Sequence, residues 1–304
     1  MRVFKMNKKN LTKFLFAVIA AVVCFAVSVV NDWNEIGDNL GLSMPAVTAE
    51  GELEVHFIDV GNADCILIRQ EDKTMLIDAG ERKSKSVLQH YFDTYGVEKF
   101  DLVIATHPHA DHIGGMAYVL DRYPVERFVM SYMDEPPTSS SYENMLEGLL
   151  EKEIPVDEAV PGAVYELGTA RIQILAPYEA DDEANNVSVV TRLTFGDKAF
   201  LFTGDAEEKV EKALISGAYP IKADVLKLGH HGSNTSNSTA FLRRVAPDFA
   251  VITCGAGNSY GHPHQEVVDR LIRQKVEAYR SDADGHIVFT TDGATLSVST
   301  RKED

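Results

Sequence analysis

Three imidazoles and one carboxylate lie within six positions of the chain, in residues 106–112 (THPHADH). Burying so many ionisable groups as core packing costs too much desolvation energy, whereas neutral histidines that share a cation relieve each other's repulsion. His107 and His109 are two positions apart after a strand-like apolar stretch, so extended backbone points them the same way. Asp111 and His112 follow one turn later and can face a second ion. A solvated polar loop is the alternative, and the pattern favours metal binding.

Three later segments place further donor groups at the ends of apolar stretches. Asp205 follows residues 199–202 (AFLF), where a carboxylate can bridge two ions. His230 and His231 follow residues 225–228 (VLKL). Residues 261–264 (GHPH) precede a helical pattern whose first turn can hold an anion on its backbone N–H groups.

The elements that must position these groups form two β-rich halves. Apolar and polar residues alternate through residues 52–60, short strand patterns follow at 65–69 and 73–78, and helix and strand patterns then alternate to residue 122. A second set of strands runs through residues 163–202, 224–228, 249–253 and 287–299, with helices at 206–216 and 265–274. Two such halves predict an α+β fold, an αββα four-layer sandwich.

Composition excludes several classes of protein. The chain has 304 residues, 45% of them hydrophobic, and a formal net charge of -17. Disordered and collagen-like chains differ from this composition. The acidic balance predicts no stable complex with nucleic acid, since neutralising phosphates takes clustered Lys and Arg. Three cysteines are too few for a disulfide framework.

The N-terminal residues indicate a membrane segment. Residues 1–13 are basic and contain no acid, and residues 14–30 are apolar. This pattern is typical of a signal anchor or a signal peptide, and a buried core helix is disfavoured because the run has no polar face. An uncleaved anchor is favoured, with the basic flank in the cytoplasm. Residues 31–50 then form a spacer, and residues 51–304 form the folded domain, at the cell membrane and facing outward, or secreted if the segment is cleaved.

Six motifs together resemble one known family. Residues 106–112 and the strand ends at Asp205 and His230 resemble the metallo-β-lactamase superfamily. More narrowly, the chain is similar to the extracellular hydrolase domain of the competence proteins that import DNA. Besides residues 106–112, the motifs that carry this similarity are residues 57–64 (FIDVGNAD), 76–80 (LIDAG), 185–188 (NNVS), 229–233 (GHHGS) and 261–264 (GHPH). The multi-helix channel of that family is absent, so the resemblance implies a stand-alone relative.

The resemblance implies a ligand set for two divalent cations, with zinc as first choice and manganese as the alternative. One ion takes His107, His109 and Asp205, and the other takes Asp111, His112, Asp205 and His230. The supporting residues behind the ligands are Asp59, Asp78, Asn185, Asn186 and Ser233. Many superfamily hydrolases place a further histidine before the bridging aspartate, but residues 113–204 contain none and carry two asparagines instead. An amide binds metal more weakly than imidazole, which favours manganese and leaves a single-ion enzyme open.

The implied activity is hydrolysis by a metal-activated hydroxide. Asp111 belongs to the catalytic group, and His231, His262 and His264 are the candidates to protonate the leaving oxygen. The resemblance favours a phosphodiester or other small anionic substrate, of nucleic-acid or cell-wall teichoic-acid type. A carbonyl substrate such as a lactone, thioester or β-lactam is a second hypothesis. A non-catalytic metal-binding ectodomain is a third.

Overall fold

Two β-sheets pack face to face in the computed structural model, which describes residues 49–133 and 136–302. The first sheet has eight strands, and β3 to β6 run parallel to one another. In spatial order these strands are β15 (Leu296–Arg301), β14 (His286–Thr291), β1 (Leu53–Phe57), β2 (Ile66–Gln70), β3 (Lys73–Ile77), β4 (Leu102–Ala105), β5 (Phe128–Met130) and β6 (Val156–Glu158).

The second sheet has seven strands, four of which are parallel neighbours. Its spatial order is β13 (Glu277–Arg280), β12 (Phe249–Ile252), β11 (Val225–Lys227), β10 (Lys198–Phe202), β9 (Val190–Phe195), β8 (Ala170–Ala176) and β7 (Val164–Leu167). The parallel strands are β10 to β13.

Helices cover the outer face of each sheet and complete the four layers. Those that follow strands of the first sheet are α1 (Lys85–Thr94), α2 (Ala110–Ile113), α3 (Met116–Arg122) and α4 (Ser140–Glu151). The later ones are α5 (Glu208–Ser216), α6 (Thr239–Val245), α7 (Gln265–Gln274) and α8 (Ser281–Asp284). Three 3₁₀ turns, Arg82–Ser84, Ala184–Val187 and Gly229–Gly232, occur in the loops. The predicted αββα fold is confirmed.

Alternating side chains divide the apolar residues into three cores, as a four-layer arrangement requires. In β2, Ile66 and Ile68 face the space between the sheets, whereas Leu67 faces the helices outside. In β10, Phe200 faces the same central core and Leu201 the outer helices. Each sheet is therefore buried on both faces, and its strand ends are where polar groups can collect.

The carboxyl ends of the parallel strands of both sheets meet at one edge of the sandwich. The loop after β4 and the segment before β9 are joined across the sheets, because the Val189 N–H donates to the Thr106 carbonyl at 2.9 Å. Within the second sheet, the His230 N–H donates to the Gly204 carbonyl at 3.2 Å. These contacts bring the segments that carry the predicted ligands into one place.

The predicted membrane segment cannot be placed in this fold. Its residues 14–30, the flank 1–13 and residues 31–48 of the spacer lie outside the described part of the chain. Among residues 49–133 and 136–302, no helix has the length and apolar character needed to cross a membrane.

The central core sets the stability of the sandwich. Phe200 is fully buried there, with its ring 6.3 Å from that of Phe202 and 6.2 Å from that of Phe289. We expect Phe200→Ala to lower the free energy of unfolding by about 3–5 kcal/mol, because it leaves a cavity that the sheets cannot close. Ile272→Ala, at a side chain 66% exposed on α7, should change it by less than about 0.5 kcal/mol. Guanidinium denaturation measures both, and equal effects would contradict this account of the core.

Candidate metal centre

Asp205 lies at the middle of the site, where the loops from both sheets converge. Its carboxylate oxygens are 3.2 Å from His112 Nε2, 3.6 Å from His231 Nε2, 3.8 Å from His230 Nε2 and 3.9 Å from His107 Nε2. Asp111, His112, Asp205 and His231 each offer one donor atom, and these four atoms all lie within 4.8 Å of one another. The Asp205 carboxylate thus lies within 3.9 Å of four imidazole nitrogens.

His107 and His109 face each other beside this group. Their Nε2 and Nδ1 atoms are 3.1 Å apart, so both nitrogens point at one region, as the two-residue spacing predicts. Burial and the neighbouring His112 hold the pKa of His107 well below its usual value. His107 is therefore neutral at pH 7, which is the state in which imidazole binds metal.

Asp78 fixes the orientation of the buried His112. Its carboxylate accepts hydrogen bonds from His112 Nδ1 at 2.7 Å, from the Thr106 hydroxyl at 2.6 Å and from the Thr106 N–H at 2.8 Å. The bond at Nδ1 leaves Nε2 directed at Asp205, an arrangement typical of metal-bound histidine. Helix α3 begins directly after Gly115, close to the backbone that follows Asp78. This approach requires glycine, since a Cβ on Gly115 would lie 2.1 Å from the Ala79 carbonyl.

The two adjacent histidines after β11 occupy different positions from those expected. Both have left-handed backbone conformations, with φ of 51° and 52°, and this turn directs the second one inward. His231 is buried, its Nδ1 donates to the Thr253 carbonyl at 2.8 Å, and its Nε2 lies 3.3 Å from Asp111. His230 is 25% exposed and contacts Thr235 at the rim. His231 thus lies in the four-atom donor cluster, while His230, the ligand that the resemblance implies, lies 3.8 Å from Asp205 at its rim.

A buried lysine was missed as a site residue. Lys227, the last residue of β11, is fully buried, and its ammonium pairs with Asp64 and donates to the Gly204 carbonyl at 2.9 Å. It also lies 3.8 Å from Asp205. Burial opposes ionisation of Asp64, but Lys227 and His112 together hold the pKa of Asp64 below its usual value. The sequence signal was a lysine between leucines in an apolar strand pattern, because a charge that becomes buried there needs a partner.

The remaining supporting residues shape loops around the cluster. The Asp59 carboxylate accepts from the Gly61 N–H at 3.1 Å, and Ser233 contacts Thr235 at 3.1 Å. Asn185 donates to Glu207 at 3.3 Å, and that glutamate lies 3.6 Å from His230. Asn186 lies in the same 3₁₀ turn, Ala184–Val187. These contacts put the asparagines beside the His230 side of the site.

His262 and His264 lie next to the cluster on the loop before α7. The His262 ring is 5.4 Å from that of His230 and 6.2 Å from that of His231. Burial and these two neighbours lower the pKa of His262 to about 4. His264 Nδ1 accepts the Asn234 N–H at 3.0 Å, so a neutral His264 carries its proton on Nε2.

The donor set fits divalent cations. His112 Nε2 and Asp205 Oδ1 are buried and face each other, yet neither has a hydrogen-bond partner among the described residues. Buried polar atoms rarely lack a hydrogen-bond partner, and a cation bound between these two atoms would satisfy both of them. Burial lowers the pKa of His112, but the carboxylates of Asp205, Asp78 and Asp64 outweigh this effect and raise that pKa well above its usual value. The same negative field attracts a metal ion.

A family model of the metallo-β-lactamase superfamily matches residues 58–255, which carry this whole cluster. The chain belongs to the metallo-β-lactamase superfamily. The family resemblance inferred from the motifs is confirmed. Members of this superfamily are generally metal-dependent hydrolases, and this chain carries a dimetal-like site of Asp and His residues.

Curated relatives include competence proteins. The chain is 32% identical over 267 residues to ComE operon protein 3 of Bacillus subtilis, covering 81% of this chain and 34% of that protein. It is 28% identical over 249 residues to competence protein ComA of Neisseria gonorrhoeae, covering 81% of this chain and 33% of that protein. The chain thus spans about a third of the length of these relatives. Among solved structures, the metallo-β-lactamase fold protein YhfI of Bacillus subtilis superposes with a TM-score of 0.54 at 13% identity, covering 80% of this chain and 100% of that one.

Asp78 should control metal affinity without binding the metal. Asp78→Asn removes the charged acceptor that orients His112, so we expect the affinity for zinc or manganese to fall about 10- to 100-fold. Competition with a chelating indicator measures it. The matched control is Asp101→Asn, which alters a carboxylate that accepts the Thr74 N–H at the opposite end of β3 and β4. Equal affinities in the two variants would contradict the role of Asp78.

Lys227 should be needed for stability because its partner is buried. Lys227→Met removes the ammonium partner of the buried Asp64 carboxylate and should cost about 3–5 kcal/mol in the free energy of unfolding. The double variant Lys227→Met/Asp64→Leu removes both charges and should recover most of that loss. Chemical denaturation of the two variants tests this, and a double variant as unstable as the single one would refute the pairing.

Proposed function

We propose that this protein is a phosphodiesterase that acts outside the cytoplasm, on nucleic acid or on a cell-wall polymer of teichoic-acid type. The observation that carries the proposal is the cluster around Asp205, in which one carboxylate contacts imidazoles on both sides. A carboxylate in that position can join two cations, and paired cations suit in-line displacement at phosphorus.

The resemblance implies the first ligand set below, and the donor atoms gathered around Asp205 support the second. His107, His109 and Asp205 would hold one cation, zinc or manganese, and Asp111, His112, Asp205 and His231 the other. Bound there, the cations would supply Lewis acidity that polarises the phosphoryl oxygens and activates water. Asp78 keeps His112 turned towards this point, and the Thr253 carbonyl does the same for His231. In this proposal His231, rather than His230, is the histidine that would bind the second cation together with His112.

The proton donor is drawn from the histidines outside the ligand set. His231 is excluded because its Nδ1 hydrogen is bound to a carbonyl and its Nε2 faces the carboxylates. His264 has a proton on Nε2 in its neutral form, since Nδ1 accepts a backbone N–H. His262 lies between His264 and the cluster, with rings 5.0 Å and 6.2 Å from His264 and His231. Protonation of the leaving oxygen is therefore assigned to this pair.

The preference for phosphodiesters is supported by the relatives. One of them is named a competence protein, and the motifs resemble the hydrolase domain of a DNA-importing family. The location outside the cytoplasm is supported by the basic flank and apolar run of residues 1–30. Separation of cell membranes from culture medium tests this part, and full-length protein found only in the cytosol would contradict it.

Asp205 should be indispensable for turnover. We expect Asp205→Asn to lower kcat on bis(p-nitrophenyl) phosphate at least about a hundredfold in manganese- or zinc-loaded protein, because it weakens the group that joins the two halves of the cluster. Spectrophotometric release of nitrophenolate measures the rate. The matched control is Asp224→Asn, at the opposite end of β11, where the carboxylate accepts the Ala199 N–H at 2.7 Å.

A chromogenic β-lactam measured in parallel separates the substrate classes. Phosphodiester turnover lost in Asp205→Asn and kept in Asp224→Asn is the expected result. Turnover of the β-lactam alone would replace the proposal with carbonyl hydrolysis. No turnover of either by metal-loaded protein would overturn the catalytic proposal and favour a metal-binding ectodomain.

A further inference from the structure

A row of aromatic rings leads from the candidate metal centre to the surface. The His262 ring is inclined by 30° to that of His231, and the Tyr260 ring by only 20° to that of His262, with centroids 5.6 Å apart. His262 is 8% exposed, whereas Tyr260 is 67% exposed. The inner rings of the row are thus buried, and its last member presents its surface to solvent.

The loop that carries Tyr260 is held rigid by one side chain. Asn258 Nδ2 donates to the Gly255 carbonyl at 2.9 Å and to the His262 carbonyl at 2.6 Å, while its Oδ1 accepts the His262 N–H at 3.0 Å. The base of the loop is also tightly packed, since a Cβ on Gly255 would lie 2.7 Å from the Asn62 N–H nitrogen. The backbone that carries Tyr260 is therefore held in place before a ligand arrives, which lowers the entropy cost of binding.

Tyr260 is the exposed end of this row of rings, so its outer face is open to a ligand. Burying an aromatic ring is favourable, and nothing in the clamp formed by Asn258 involves the Tyr260 side chain. A planar group of a ligand that stacks on the outer face would bury this ring and extend the row. The row begins at the metal centre. Such a ligand would therefore be a chain that carries both a group reacting at the metal centre and a planar group stacking on Tyr260.

We propose that Tyr260 is a stacking platform for a nucleobase of a single-stranded nucleic acid whose phosphodiester lies at the metal centre. The inference rests on the proposed phosphodiesterase function and names its substrate class. Every base has a π-face, so stacking on an aromatic side chain tolerates sequence. It also suits a chain with a net charge of -17, because stacking needs no cationic surface. A teichoic-acid backbone has no base for this platform.

Binding of two strands that differ only in their bases tests the platform. The probes are a fluorescent phosphorothioate pentathymidylate and an abasic strand of the same length and linkage, titrated at fixed salt into manganese-loaded protein. Anisotropy gives each Kd without turnover. We expect the native protein to prefer the base-bearing strand about five- to a hundredfold, and Tyr260→Ala to bring the ratio of the two Kd values close to one.

Two control variants separate stacking from other effects. Tyr260→Phe keeps the ring and should keep the preference. Tyr178→Ala removes a tyrosine of similar kind, 43% exposed and beside Gly217 at the far end of α5, and should also keep it. The inference is overturned if native protein binds both strands equally, if Tyr260→Ala retains the preference, or if Tyr260→Phe loses it. Because the assay needs no hydrolysis, failure of the phosphodiesterase proposal appears separately, in the Asp205→Asn measurements.

Discussion

One buried ion pair joins the two sheets at the place where the chemistry is expected. Asp64 comes from the loop between β1 and β2 of the first sheet, and Lys227 ends β11 of the second. The lysine also holds the Gly204 carbonyl, next to Asp205, and lies near Asp205 itself. A charge pair inside a protein is costly unless its geometry is fixed, so this contact ties the relative position of the sheets to the position of the ligands. The arrangement around Asp205 depends on that alignment.

The fold was largely predictable because its physical determinants are local. Residues that alternate in β2 and β10 must face different layers, and the strands and helices of residues 52–122 and 163–299 were for the most part found from such patterns. Residues 123–162 carried no predicted element, although they form β5, β6 and α4. Strands of three residues are too short to show alternation. The two prolines and one serine before α4, and the two serines that begin it, are typical of a loop.

The site was predictable where residue type alone limits the chemistry. Residues 106–112 and Asp205 indicated metal binding, and the structure brings them together. The choice between His230 and His231 depends on two left-handed backbone conformations that no spacing rule reveals. Lys227 was overlooked because a lone lysine in a strand is normally a solvent-facing residue, and only the position of Asp64 in another sheet explains it. Contacts between distant segments, rather than individual residue types, were what remained unpredicted.

The division of the site between the two halves of the chain has a consequence for biosynthesis. Asp64, Asp78 and residues 106–112 are synthesised well before Asp205 and His231, and His231 is fixed by the Thr253 carbonyl. A nascent chain that ends before β10 holds these imidazoles and carboxylates but lacks Asp205 and His231. Metal capture is therefore coupled to the docking of the second sheet, late in folding. A hydrolase built in this way stays inert until the second half of its chain has been synthesised and has docked on the first.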